Sequence, residues 1–157
     1  MAGNIENRKR EHIDTVLQND VSAKGVSTGF ERYYFEHVAL PEMNLDAIDT
    51  SLDLFGKRLA LPMLISSMTG GTSIARDINL NLAEAAQSLG IAMGVGSQRA
   101  AIEEPMFADT YSVRSVAPDI VLFANLGAVQ LNYGYGPDQA KQAVEMIDAD
   151  ALFLHLN

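Results

Sequence analysis

Four short apolar runs recur along the second part of the chain: Pro62–Ser66, Ile91–Val95, Ile120–Ala124 and Ala151–Leu156. They begin at residues 62, 91, 120 and 151, so the repeat is 29, 29 and 31 residues. Each run is continuously apolar rather than alternating, which is the pattern of a strand covered on both faces. Helical patterns lie between them. Ile74, Ile78, Leu82, Ala85 and Leu89 form one apolar stripe closed by Gly90. Glu104-Pro105 predicts the start of a second helix, running to about Val116 and stopped by Ala117-Pro118. A third starts at Pro137, with Ala140, Ala143, Val144 and Ile147 on one side.

Buried strands alternating with amphipathic helices predict an α/β fold with parallel strands. Four such units are half of a (β/α)8 TIM barrel, which takes ~250 residues. An open four-stranded sheet is the alternative, but its last strand would present a bare apolar edge. The expectation is therefore the first half of a barrel over 62–157, with the remainder outside this chain. Residues 1–61 break the repeat. Asn7 to about Gln18 predicts a polar helix, and Asp46–Leu61 two short strands around Phe55-Gly56-Lys57-Arg58. This stretch is expected to be an N-terminal extension covering one end of the barrel.

Composition narrows the chemistry. There is no cysteine among the 157 residues, which excludes a disulfide scaffold, a Cys-ligated zinc and a thiol nucleophile. No apolar run approaches the roughly 18 residues of a membrane span, and the first residues lack the apolar core of a signal peptide. A cytoplasmic protein with no membrane partner is expected. The net charge of −9 argues against nucleic acid as a partner. Seven of the 11 basic residues lie within residues 1–58, leaving Arg76, Arg99, Arg114 and Lys141 for the rest. Each later cation is scarce enough to need a reason.

In a parallel barrel the reactive groups gather at the C-terminal ends of the strands. The first run ends in Ser66-Ser67-Met68-Thr69-Gly70-Gly71, where glycines before a helix let a ligand approach the backbone and the helix start favours anions. The same residues also make an ordinary turn with a hydroxyl cap. The second ends in Gly94-Val95-Gly96-Ser97-Gln98-Arg99, which suits a phosphate-bearing ligand but lacks the third glycine of a dinucleotide fingerprint. Asn125, just past the third run, could meet a heterocyclic edge or simply form a turn. His155 and Asn157 end the fourth run and point the same way along a strand. Arg8, Lys9 and His12 share one helical turn, either as an anion clamp or as a solvated charged face.

As an ordered set, Arg8-Lys9-x-x-His12, Ser67-Met68-Thr69-Gly70-Gly71, Gly94-Val95-Gly96-Ser97-Gln98-Arg99, Ala124-Asn125-Leu126-Gly127 and His155-Leu156-Asn157 resembles type 2 isopentenyl-diphosphate isomerase. That family adopts a (β/α) barrel and interconverts isopentenyl and dimethylallyl diphosphates with reduced FMN and Mg²⁺, NADPH commonly supplying the reduction. The resemblance implies that Ser67, Met68, Thr69, Gly70, Ser97 and Asn125 contact FMN. It implies that Arg8, Lys9, His12, Ser97, Gln98 and Arg99 hold the substrate, mainly by its diphosphate. His155 and Asn157 look like the opening of a catalytic motif, H-x-N-x-x-Q-E. Its Gln, and the Glu linked to Mg²⁺, would fall beyond residue 157, so no metal ligand is expected within this chain. A homo-oligomer, tetrameric or larger, also follows from the resemblance.

Moving a double bond by one position adds a proton at one carbon and removes one at another, with no net redox. The flavin would then act as acid and base rather than as a hydride carrier, while the remote diphosphate aligns the reacting carbons. Two rivals remain at this level: another FMN barrel enzyme such as a 2-hydroxyacid oxidase, and a non-catalytic flavin- or phosphate-binding fragment. The first gives no role to Arg8-Lys9-x-x-His12.

Overall fold

The computed structural model describes residues 2–156, with side chains described from residue 7 onward. Helix α1 covers Ala2–Gln18. The segment from 19 to 50 has only single 3-10 turns at Phe30–Arg32 and Leu45–Ala47, and it leaves Phe30, Tyr33, Tyr34 and Phe35 exposed. An antiparallel hairpin follows, β1 (Leu52–Leu54) and β2 (Lys57–Leu59), joined at the two residues Phe55 and Gly56. Both have positive φ, 49° and 76°, as a two-residue turn matched to strand twist requires. The pair of extended segments expected over 46–61 is this hairpin.

The four apolar runs form strands β3 (Leu64–Ile65), β4 (Ala92–Gly94), β5 (Leu122–Gly127) and β6 (Ala151–His155). They are all parallel and lie side by side in chain order, β3-β4-β5-β6. The crossovers are α2 (Ser73–Leu89), α3 (Arg99–Glu103) and α4 (Pro137–Met146). Helix α2 has the expected ends: Thr72 caps it by accepting from Ala75 N–H, and Gly90 closes it at φ 62°. The architecture is thus α/β with a parallel sheet.

The second crossover differs from its expectation. Instead of one helix from Glu104 to Val116 there are α3, ending before Pro105, and a 3-10 stretch over Pro105–Tyr111. Proline disfavours helical backbone in the residue before it, and Glu104 is accordingly extended at φ −136°, ψ 97°. The break puts Arg99 in the first turn of α3.

Strand alternation divides the core. Met93, Val95, Leu122, Ala124 and Leu126 point outward against Ala83, Ala86, Tyr111, Ala143 and Ile147 of the crossovers. Ala92, Val121 and Phe123 point inward with Leu59, Ala151 and Phe153. Phe123 stacks on Phe153 with centroids 4.3 Å apart, and Phe55 meets Phe123 edge-on at 5.8 Å. The hairpin therefore sits on the inner face near the strand starts, opposite the strand ends that carry the polar groups.

Asp150, just ahead of β6, fastens this arrangement. Its carboxylate accepts from Lys57 Nζ, Arg114 Nη2 at 2.7 Å and Leu122 N–H at 2.8 Å. Lys57 and Arg114 also donate to Ile120 O, so hairpin, crossover and two strand starts meet at one carboxylate. Partial burial alone would raise its pKa. The Leu122 N–H, Lys57 and Arg114 outweigh that and hold it below the ordinary 3.8. The stability it contributes is complete above that ordinary value and is lost as pH falls through the depressed folded one. Asp150→Ala leaves Leu122 N–H without an acceptor and the two cations without their shared carboxylate, and should cost about 2–4 kcal/mol in denaturant unfolding of the full-length protein. Asp150→Asn should flatten the acid limb of the stability profile, which pH-dependent melting measures.

Candidate functional site

The ends of the parallel strands, and the loops that follow them, face one cleft of about 540 Å³. Ser67 and Met68 come from the loop after β3, Gly96 and Ser97 from the loop after β4, Asn125 from β5, and Phe153 and His155 from β6. Helix α1 adds Lys9 and His12. Lys9 and Ile13 are its half-buried positions among residues 7–18, so this stripe is the one turned toward the sheet.

A second cleft of about 200 Å³ adjoins the first through Lys9, Ser97 and His155. It brings Arg8 and Lys9 of α1 to Arg99 of α3, residues about 90 apart in sequence. Burial, then the charges of Arg8 and Arg99, push the Lys9 ammonium pKa down. Arg99 has a carboxylate partner in Glu103, at 3.7 Å on the exposed side of α3. Three cations converge on one concave surface, where among the described residues Glu103 is the carboxylate within salt-bridge distance, and such a surface is one that an anion stabilises. His12 lines the larger cleft and the flank of α1 instead of the Arg99 cleft.

Asn125 does not follow its strand as expected; it is the fourth residue of β5 and is buried. Alternation places its side chain on the inner face beyond Phe123, and its Oδ1 lies 3.0 Å from His155 Nδ1. With the amide oxygen turned to the ring, Nδ1 carries the proton and donates. Asn157 lies outside the described residues.

Gln98 is not at the surface of either cleft. It is fully buried, its Oε1 accepts from Asn125 N–H at 3.0 Å, and its Nε2 donates to Ala143 O at 2.8 Å. Its own N–H donates to Asn125 O at 2.9 Å. Both amide atoms are consumed inside the protein, so the expected substrate contact is replaced by a structural clamp on Asn125.

The glycines also serve a purpose other than the expected one. A Cβ on Gly70 would fall inside the ring of Tyr111, and one on Gly96 would lie 2.6 Å from Thr69 O. A Cβ on Gly94 would meet Ser67 Oγ at 2.6 Å and the Phe153 ring at 3.0 Å. These positions are bare so that protein can pack against them, and Gly70 is itself buried. Tyr111, which the sequence pattern did not single out, fills the space and donates from its hydroxyl to Ser97 O at 2.9 Å. Asn79 of α2 joins the same support, donating to Thr69 O and Thr110 O. Asn79 lies on the face that α2 buries, with Ala75, Ala83 and Ala86, beside the stripe of Ile74, Ile78 and Leu82 read from the sequence, so the apolar pattern did not point to it.

Ser67 Oγ is buried at the wall of the larger cleft with no hydrogen-bond partner. Such an orphan is costly unless a ligand completes it.

Gly70→Ala should destabilise the full-length protein by about 2 kcal/mol or more through overpacking against Tyr111. Adding Tyr111→Leu should make the combined cost smaller than the sum of the two single costs, as a thermal-unfolding double-mutant cycle would measure.

Residues 1–113 match the family model described as FMN-dependent dehydrogenase. Among curated relatives, the isopentenyl-diphosphate delta-isomerase of Synechocystis sp. is 69% identical over 150 residues, 96% of this chain and 43% of the relative. Those of Rickettsia bellii and Nostoc sp. are 56% and 52% identical, each covering 43% or 44% of the relative and at least 96% of this chain. The chain thus spans less than half the length of the curated relatives it matches. With the family model covering most of its residues, the chain belongs to the FMN-dependent dehydrogenase family.

Proposed function

We propose that this chain is the diphosphate- and flavin-binding part of an isomerase that interconverts isopentenyl and dimethylallyl diphosphates. The observation that carries the reading is the convergence of Arg8, Lys9, Arg99 and His155 on one cleft beside a larger one. The relatives' name supplies the reaction. In this reading residues 62–157 are the first half of a (β/α)8 barrel, and residues 1–61 cover its end with α1 lying over the mouth. The same reading includes Mg²⁺ bound through residues past 157, NADPH as reductant, a cytoplasmic location and a homo-oligomer.

The larger cleft fits a flavin on two grounds. Ser67 Oγ awaits a partner there, and Ser97 and Asn125 stand beside it with Phe153 as an apolar wall. Ser67, Met68, Ser97 and Asn125 line that cleft and would hold the cofactor, while Thr69, whose carbonyl accepts from Gly96 and Asn79, and Gly70, packed on Tyr111, support the turn from behind. Reduced FMN bound there supplies a proton-donating and proton-accepting surface for the double-bond shift.

The chain's own residues do the rest. Arg8, Lys9 and Arg99 neutralise a diphosphate at the edge of the cleft, and Ser97 offers a hydroxyl beside them. His155, held through Nδ1 by Asn125, presents a fixed ring to the same edge. Anchoring the diphosphate there fixes where the hydrocarbon lies, so remote binding energy orients the reacting carbons. Helix α1 over the mouth excludes water from a site where charge develops.

Full-length protein should take up FMN without a covalent link and isomerise isopentenyl diphosphate when the flavin is reduced. Absence of flavin uptake and of turnover would overturn the reading. Arg99→Ala should weaken binding of dimethylallyl diphosphate by about 2–3 kcal/mol, the scale of a charge-assisted contact, with FMN content unchanged. Calorimetry and flavin absorbance check the two halves of that expectation.

A further inference from the structure

Beyond the two clefts of the proposed site lies a crease of about 200 Å³ between the second half of α1 and the start of α2. Ile13, Val16 and Leu17 form one side of it, and Met68 and Ile78 the other. It shares His12 and Met68 with the larger cleft, so the two open into each other. Apart from His12 and Thr69 its lining is apolar. Of its lining, the isomerase reading uses His12 and Met68; Ile13, Val16, Leu17 and Ile78 have no part in it.

The stripe of α1 that faces the body is Lys9, His12, Ile13 and Val16, spaced three and four apart. Its chemistry changes at His12. Before it the stripe and its neighbour Arg8 are cationic; after it they are aliphatic. An elongated molecule laid along this stripe would meet cations at one end and hydrocarbon at the other. Lys9 and Val16 are seven residues apart, a rise of roughly 10 Å. That distance is beyond a five-carbon chain anchored at the cations and within reach of one twice as long. The walls also have apolar surface left to cover: Val16 is 45%, Leu17 77% and Met68 63% exposed.

We infer that this crease is a subsite for the hydrocarbon tail of longer allylic diphosphates, which bind with their diphosphate on Arg8, Lys9 and Arg99. The inference rests on the diphosphate reading above. Such molecules are what condensation of the two five-carbon isomers yields, so the crease lets a downstream product occupy the isomerase in place of its substrate. Affinity then rises with chain length, because each added carbon removes apolar surface of both partners from water.

The test compares inorganic pyrophosphate, dimethylallyl diphosphate and geranyl diphosphate by calorimetry on full-length, FMN-loaded protein. Geranyl diphosphate should bind at least about tenfold tighter than dimethylallyl diphosphate and displace it. Val16→Asp and Leu17→Asp place a charge in the crease at exposed positions that the fold does not need. Each should abolish the chain-length gain while leaving pyrophosphate and dimethylallyl diphosphate affinities within about twofold. Equal affinity for the two allylic diphosphates in the unaltered protein would overturn the subsite. So would a gain that survives in both variants. Failure of pyrophosphate and both allylic diphosphates to bind at all would instead overturn the diphosphate reading beneath it.

Discussion

A single buried amide, Gln98, sets the position of almost everything at the end of the sheet. Its backbone N–H and its side-chain Oε1 grip the two sides of the Asn125 peptide unit, and its Nε2 reaches Ala143 in α4. Strand β4 ends at Gly94, and beyond the bond from Val95 N–H to Phe123 O the ladder no longer holds the following loop against β5. The amide takes over from the ladder. Its location beneath the sheet end, free of solvent, makes each of those bonds costly to lose. Through Asn125 the clamp extends to His155, and through the peptide that follows it, to the start of α3 and Arg99.

Around that clamp the site is built by close approach rather than by open space. Tyr111 lies where a side chain on Gly70 would be, and its hydroxyl holds the carbonyl of Ser97. Gly96 lets the loop after β4 touch the loop after β3, with its N–H donated to Thr69 O. Thr69 O also accepts from Asn79, so the two loops and α2 share one carbonyl. The glycines thus bring two ligand-facing loops together from behind. The groups left on the cleft side, Ser67 Oγ above all, are those that the packing does not consume.

Charge is distributed on the same logic. The chain carries a net −9, yet Arg8, Lys9 and Arg99 gather at one concavity. At the other end of the sheet Lys57 and Arg114 are spent on Asp150 and Ile120 O. Those two cations are structural because a carboxylate and a carbonyl already answer them. Among the described residues, Glu103 on the exposed side of α3 is the carboxylate within salt-bridge distance of the first group, through Arg99.

The repeat of apolar runs by itself determined the order of strands and crossovers and their parallel sense, while local patterns outside the repeat gave the helix over 7–18 and the two short strands before residue 61. Period is a local property; continuous burial holds for β4 and β5, whereas β3 and β6 are only partly buried and α2 buries Ala75, Asn79, Ala83 and Ala86 beside the expected stripe, leaving Ile74 and Leu89 exposed. The loops that the sequence singled out do come together around one cleft, because strand ends carry their polar groups in recognisable clusters. What it did not determine was which member of a cluster faces the cleft. Gln98 and Arg99 are adjacent in sequence, yet one is sealed inside by its bonds to Asn125 and Ala143 while the other reaches the smaller cleft. Tyr111 and Asn79 looked like ordinary helix-side residues until Gly70 and Thr69 were brought against them. Asn125 fell inside its strand because β5 pairs with β6 as far as Gly127 and His155. Only contacts between distant segments decide such matters: a hydrogen bond to a loop 27 residues away, or a ring filling a missing Cβ, leaves no periodic trace in the sequence.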